Sequence, residues 1–115
     1  MSSQYGTSLH ITITIDPRNE EAFLQALKPA FDAASAEPEN TFSQVYRNSD
    51  KPGQFKFVEN WNASKEWLIE VQLQKGYYKP YADATRPMWI EPLKLEFYDQ
   101  LPPVFRHVHM QGPTG

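Results

Sequence analysis

The chain has 115 residues, enough to bury one hydrophobic core without metal or disulfide staples, and it contains no cysteine, which excludes thiol nucleophiles, thiolate metal sites and disulfides. Its formal net charge of −3, with acids and bases interspersed, offers no basic stripe for neutralising phosphates, so nucleic acid is not an expected partner. No apolar run approaches the roughly 20 residues that cross a bilayer, "MSSQYGTSLH" lacks the regions of a signal peptide, and the absence of cysteine fits a reducing compartment; the expectation is a cytoplasmic protein with no membrane partner.

The first element is "SLHITITI", in which Leu9, Ile11, Ile13 and Ile15 alternate with His10, Thr12 and Thr14, the period of a half-buried strand. "DPRNEEAF" then starts a helix: Asp16 caps, Pro17 stands at the first helical position, and Glu20 and Glu21 suit the positive end of the dipole. Phe23, Leu24, Leu27, Phe31 and Ala34 recur at helical spacing, and Pro29 within that pattern predicts a kink. "TFSQVYRN" and "QFKFVENW" read as two strands of a hairpin joined by the turn-forming "SDKPG".

After Trp61, "NAS" offers caps to a helix from about Lys65 to Lys75, with Trp67, Leu68 and Val71 inward and Gly76 at the stop. Pro80 predicts a bend over Tyr77 to Lys79 and a second short helix from about Pro80 to Trp89. "PLKLEFYDQL" is the last strand, with Leu93, Leu95 and Phe97 on one face and Lys94, Glu96 and Tyr98 on the other. The order β-α-β-β-α-β predicts an α+β, ferredoxin-like, four-stranded antiparallel sheet with helices on one face, a single domain over residues 1–100 and an irregular tail over 101–115. The other face carries His10, Thr12, Thr14, Lys56, Val58 and Asn60, a mixture that a second copy of the chain can cover, so a homodimer through the open sheet face is expected.

The run "AEPENTFSQVYRNSDKPGQFKFVENW" resembles the hairpin of the antibiotic biosynthesis monooxygenase family, the dimeric α+β barrels, in which an acidic loop leads to a strand ending in Glu-x-Trp, here Glu59 and Trp61. "YYKPYADATRPMW" is similar to a variant found in fungal members, and the resemblance covers roughly residues 8 to 100. It implies the fold and the dimer; for activity it spans oxygenation of aromatic polyketides or quinols without metal or flavin, haem degradation, and members with no known activity. Haem-degrading members carry a His about ten residues after the strand Trp, where this chain has Glu70, Val71 and Gln72, and some cofactor-free members carry an Asn four residues before it, where this chain has Phe57. Only Glu59 and Trp61 carry over.

Read as chemistry, Glu59 shares a strand face with Trp61, and burial there would raise its pKa toward that of a general base; the alternative is a structural carboxylate answering a cation such as Arg86. His10 is a second candidate base, set against a structural role at a sheet–sheet interface. Trp61, Trp67 and Trp89 are candidate stacking surfaces or ordinary core, and Tyr77, Tyr78 and Tyr81 candidate donors to a substrate carbonyl, with Tyr77, Tyr81, Arg86 and the three tryptophans expected to bind substrate. His107 and His109 lack an acidic neighbour, and no Gly-rich phosphate loop or nucleophile elbow occurs, so neither metal nor cofactor is expected. These residues fit a small enzyme that deprotonates a planar aromatic of polyketide, anthrone or quinol type and lets the anion react with molecular oxygen. The alternatives are a non-catalytic dimeric ligand-binding module and a cofactor-free cyclase or isomerase.

Overall fold

The alternation of Leu9, Ile11 and Ile13 fixes which face of the first strand meets the helices, and every other element is placed by that choice. The computed structural model of the protein describes residues 4–109. Its elements are β1 (Thr7–Thr14), α1 (Glu20–Ser35), β2 (Asn40–Arg47), β3 (Gln54–Trp61), α2 (Lys65–Glu70), α3 (Tyr78–Thr85) and β4 (Lys94–Asp99). The strands form one antiparallel sheet in the order β2-β3-β1-β4, the expected ferredoxin-like α+β arrangement. Register places Ile11 opposite Phe57 and Leu95, and Leu9 opposite Glu59 and Phe97, so these side chains share the helix-covered face.

Asp16 caps as its sequence position predicts, accepting from the Arg18 N–H at 2.9 Å, but Pro17 opens a 3-10 turn over Pro17–Asn19 before α1 begins. α1 runs unbroken through Pro29, which is exposed, so the carbonyl left without its N–H partner lies on the solvent side. The stripe of α1 buries Phe23, Leu27, Ala30 and Ala34 on the sheet, where Phe23 stacks on Phe55 with ring centroids 5.1 Å apart. At the β2–β3 turn Gly53 adopts φ +86°, and a Cβ there would lie 2.2 Å from the Ile15 carbonyl oxygen, so only glycine fits.

The second helical segment departs from expectation in several places. Ser64 caps α2 by accepting from the Trp67 N–H at 3.0 Å, but the helix ends at Glu70 and continues as a 3-10 turn over Gln72–Gln74. The change from 3.6 to about 3 residues per turn rotates the faces: Val71, expected inside, is 42% exposed, and Gln72 is fully buried in its place. Gly76 makes no positive-φ stop. α3 starts at Tyr78, so Pro80 sits in its first turn, where no N–H is needed, and the bend expected over Tyr77 to Lys79 is helical from Tyr78 onward. α3 ends at Thr85, Arg86–Met88 make a 3-10 turn, and Trp89 is extended and bridges to Ile15, with the Ile90 N–H donating to the Thr14 carbonyl at 2.9 Å. The expected helix is therefore two short pieces whose far end is tied to the end of β1.

Of the tail expected over 101–115, residues 110–115 lie outside the described residues, as do 1–3. Up to His109 it contains one 3-10 turn, Pro103–Phe105, with Leu101, Val104, Phe105 and Val108 exposed.

Candidate functional site

Between α1, α3 and the sheet lies a cavity of about 160 Å³. Ile11, Ile13, Phe57, Glu59 and Leu95 come from the sheet, Leu27, Ala30, Phe31 and Ala34 from α1, and Tyr78, Tyr81 and Ala82 from α3, with Arg86, Trp89 and Leu93 beyond. Three alanines on the helices leave the room that larger side chains would fill. An apolar cavity of about 150 Å³ accepts a single benzene-sized ring. Leu93 and Leu95, 39% and 42% exposed, mark its open side together with exposed Arg86, so the rest of a larger planar ligand would extend past them.

Glu59 is the only carboxylate in this lining. It reaches the cavity because β3 alternates: Phe55, Phe57, Glu59 and Trp61 share the helix-facing side, and the Trp61 indole Nε1–H donates to Glu59 Oε1 at 3.1 Å. Glu59 Oε2 has no protein partner among the described residues, and no ion pair joins the carboxylate to Arg86. Burial pushes the Glu59 carboxyl above the usual carboxylate range, against the smaller opposing pull of the indole hydrogen bond. The Glu-x-Trp spacing thus gives a carboxylate held at one oxygen by a neutral donor and left free at the other.

Two tyrosines accompany it. Burial raises the pKa of Tyr78 and of Tyr81 well above the ordinary phenol value, and the nearby Glu59 charge adds to both, so each hydroxyl stays protonated. The Tyr78 oxygen accepts from Gln72 Nε2 at 2.8 Å. The Tyr81 hydroxyl and Trp89 Nε1 are buried without a hydrogen-bond partner; Thr85, one turn beyond Tyr81, lies close enough to act on its pKa but closes no well-formed hydrogen bond.

Of the residues singled out from the sequence, Glu59, Tyr78, Tyr81, Arg86 and Trp89 come together around the cavity. Trp61, Trp67 and Tyr77 do not line it. Trp61 is 0% exposed and orients Glu59 instead of facing a ligand, and Trp67 packs against Trp61 with centroids 6.2 Å apart. Tyr77 packs beside the Leu9, Trp61 and Leu68 cluster and donates to Glu37 Oε2 at 2.8 Å. His10 stands on the opposite face of the sheet, opposite Val58 and Glu96, its ring 4.6 Å from that of Tyr98, so the two candidate bases are not brought to one site. Phe31 lines the cavity from the helical stripe read in the sequence, but sequence reasoning had no signal for the wall residues Ala30 and Ala82, whose convergence is a matter of tertiary packing. Among the described residues no group of three His, Asp or Glu side chains is placed to hold a metal ion.

The sequence model for "Antibiotic biosynthesis monooxygenase" matches residues 7–68, from the first strand to the helix after the Glu-x-Trp strand. The chain is also 44% identical over 95 residues to a Pestalotiopsis microspora protein named "Putative monooxygenase GME11364", covering 83% of this chain and 79% of that one. The chain belongs to the antibiotic biosynthesis monooxygenase family. Solved structures carrying the same family description superpose on this family member: one from Nitrosomonas europaea with TM-score 0.78, 20% identity and coverage of 88% of this chain and 95% of that chain. Another, from Caulobacter crescentus CB15, has TM-score 0.74 and 22% identity, covering 87% of this chain and 94% of that one. At these identities the likeness shows the fold, and it places the helix–sheet cavity of this family member on a scaffold those structures share.

Proposed function

We propose that the protein is a monooxygenase-like enzyme that binds one ring of a planar aromatic, of polyketide, anthrone or quinol type, in the helix–sheet cavity and uses Glu59 as its base. The observation that carries this reading is a single carboxylate in an apolar cavity, unpaired with any cation, held by an indole N–H at one oxygen and free at the other. Such a group has a raised pKa and a short path to a ligand proton, the two requirements of a general base. Glu59 takes a proton from an activated ring C–H, and the carbanion adds to molecular oxygen. The resulting peroxide takes the proton back and loses water with the second C–H proton. One oxygen atom is left as a carbonyl and the other departs in water, so no outside reductant is consumed. The apolar walls contribute by desolvating the anion and holding the ring against the base.

A homodimer belongs to the same proposal. The sheet face away from the helices exposes Phe42, Tyr46 and Tyr98 around Val58 and His10, and a second copy packed there would bury on the order of 1,500 Å².

Substrate-dependent oxygen uptake tests the reading. Anthrone and hydroquinone-type compounds supplied to the wild type should consume one oxygen molecule per carbonyl formed, and Glu59→Gln should bind them but turn over slowly. Tight binding with no oxygen consumption in the wild type would make the protein a ligand-binding module; isomerised product without oxygen consumption would make it a cyclase or isomerase.

A further inference from the structure

The cavity wall contains a donor whose direction is set from outside the cavity. Gln72, fully buried just after α2, donates from Nε2 to the Tyr77 hydroxyl at 2.7 Å and to the Tyr78 hydroxyl at 2.8 Å. Tyr77 in turn donates to Glu37 Oε2 at 2.8 Å, and Lys75 Nζ stands 3.3 Å from that same oxygen. Counting protons along this chain fixes its polarity. Glu37 is ionised at neutral pH, since the Tyr77 hydrogen bond lowers its pKa, so the Tyr77 proton is committed to the carboxylate. The Tyr77 oxygen must therefore accept, which requires the NH2 end of Gln72 to face both tyrosines. A flipped amide would set its oxygen against the Tyr77 lone pairs with no proton between them. In the observed orientation the second Gln72 proton goes to the Tyr78 oxygen, and Gln72 Oε1 is left buried without a partner.

One proton in the chain has no assigned acceptor, that of the Tyr78 hydroxyl. The Tyr77 oxygen is near enough to influence Tyr78, but the two hydroxyls close no well-formed hydrogen bond, and Tyr77 already has both partners. Tyr78 lines the cavity together with Glu59. Tyr81, a turn further along α3, is buried without a partner, but no well-formed hydrogen bond to its oxygen fixes its direction, whereas Gln72 holds the Tyr78 oxygen.

We infer that Tyr78 is the hydrogen-bond donor that recognises the oxygen of a phenolic or carbonyl-bearing ring in the cavity, with Gln72, Tyr77 and Glu37 as positioning residues that keep its proton pointed at the ligand. A phenolic hydroxyl satisfies both polar groups at once, accepting from Tyr78 and donating to Glu59. A ring without oxygen satisfies neither. The inference rests on the cavity being the ligand site, as proposed above.

The test compares 2-naphthol with 2-methylnaphthalene, which differ by a hydroxyl against a methyl of similar size, as ligands of the full chain under nitrogen. Calorimetry gives the ratio of the two dissociation constants, which cancels effects on packing. In Tyr78→Phe, 2-naphthol should bind about three- to tenfold more weakly, the range of one net hydrogen bond, while 2-methylnaphthalene changes less than about twofold. Tyr77→Phe lies outside the cavity and frees the Gln72 amide to flip and capture the Tyr78 proton, so it should shift the ratio the same way by about threefold, and it carries the test if Tyr78→Phe does not fold. An unchanged ratio in both variants, including a parallel loss for both ligands, overturns the role of Tyr78 and leaves the cavity reading intact. A wild type that binds neither probe overturns the cavity reading and this inference together.

Discussion

The two faces of the sheet do opposite things with similar residue types. On the helix-covered face one ionisable group, Glu59, stands in an apolar cavity without a counter-charge, and its nearest partner is the neutral Trp61 indole. On the open face the charges are paired or neighboured: Tyr98 donates to Glu96 at 2.7 Å, Lys94 lies 3.9 Å from Glu96, and His10 sits between Lys56 and Glu96. The difference fits the roles proposed for the two faces. A surface that meets another surface lowers its desolvation cost by pairing charges in advance, whereas a surface that does chemistry needs one group whose charge is not yet answered. The two pKa directions agree with this division: burial raises Glu59 toward a usable base, while burial and then Lys56 lower His10 and leave it neutral.

The largest effect should separate the two candidate bases. Glu59→Gln keeps the shape and the Trp61 hydrogen bond but removes proton abstraction, so turnover measured as oxygen uptake should fall at least about a hundredfold, the scale of a positioned general base. His10→Ala, on the other face, should leave turnover within about threefold. A reversed result would move the chemistry to the open face and dissolve the distinction drawn above.

Next in size is the open face itself. Val58 lies between His10 on β1 and Gln44 on β2, at the middle of the surface proposed to pair. Val58→Asp puts an unpaired charge there, and in light scattering at micromolar concentration the mass should fall from two chains to one, with binding of 2-methylnaphthalene in the cavity unchanged. A wild type already of single-chain mass would remove the dimer.

The sequence carried the first of these faces better than the second half of the site. The period of two in Leu9, Ile11 and Ile13 and the cap at Asp16 are local signals, and these survived into the structure. The shared side of Glu59 and Trp61 was legible for the same reason, since residues two apart on a strand face one way. What Trp61 does there was not legible: whether an indole lines a cavity or lies beneath it depends on the depth of the helices packed over it, and here it is fully buried. Gln72 was hidden for a different reason. A polar residue beside Val71 reads as surface at helical spacing, and the switch to a 3-10 turn exchanged the two. The relay through Gln72 to Tyr77 and Glu37 joins residues up to 40 apart in the chain, beyond any periodic reading.

Trp89→Leu should have an intermediate effect. Trp89 packs against the core cluster of Ile13, Phe23 and Phe55 and lines the cavity, but its Nε1–H is buried without a partner, so its removal relieves one unsatisfied donor while losing apolar contact. The net loss of stability should be about 1 kcal/mol, with the affinity for 2-naphthol falling about tenfold through the lost ring face. Thermal melts and calorimetry on the one variant give both numbers, and an unchanged affinity would return Trp89 to ordinary core packing.

The smallest effect is the most specific to an uncompensated carboxylate. Because burial raises the Glu59 pKa above its unfolded value, folding favours the protonated form. Below the unfolded pKa the group is protonated in both states and contributes no penalty; as pH rises through the folded pKa, ionisation in the cavity costs stability, and the full cost is present above it. Glu59→Gln is neutral throughout. The variant should therefore melt close to the wild type at pH 4 and above it at pH 8, and each tenfold elevation of the acid constant corresponds to about 1.4 kcal/mol, or roughly 4 °C in a domain of this size. The wild-type turnover should rise with pH across the same window, because the base becomes active as it becomes costly. A Glu59→Gln variant that is less stable than the wild type at pH 8 would mean that the carboxylate has a cationic partner in solution, and Glu59 would then resemble the paired charges of the open face.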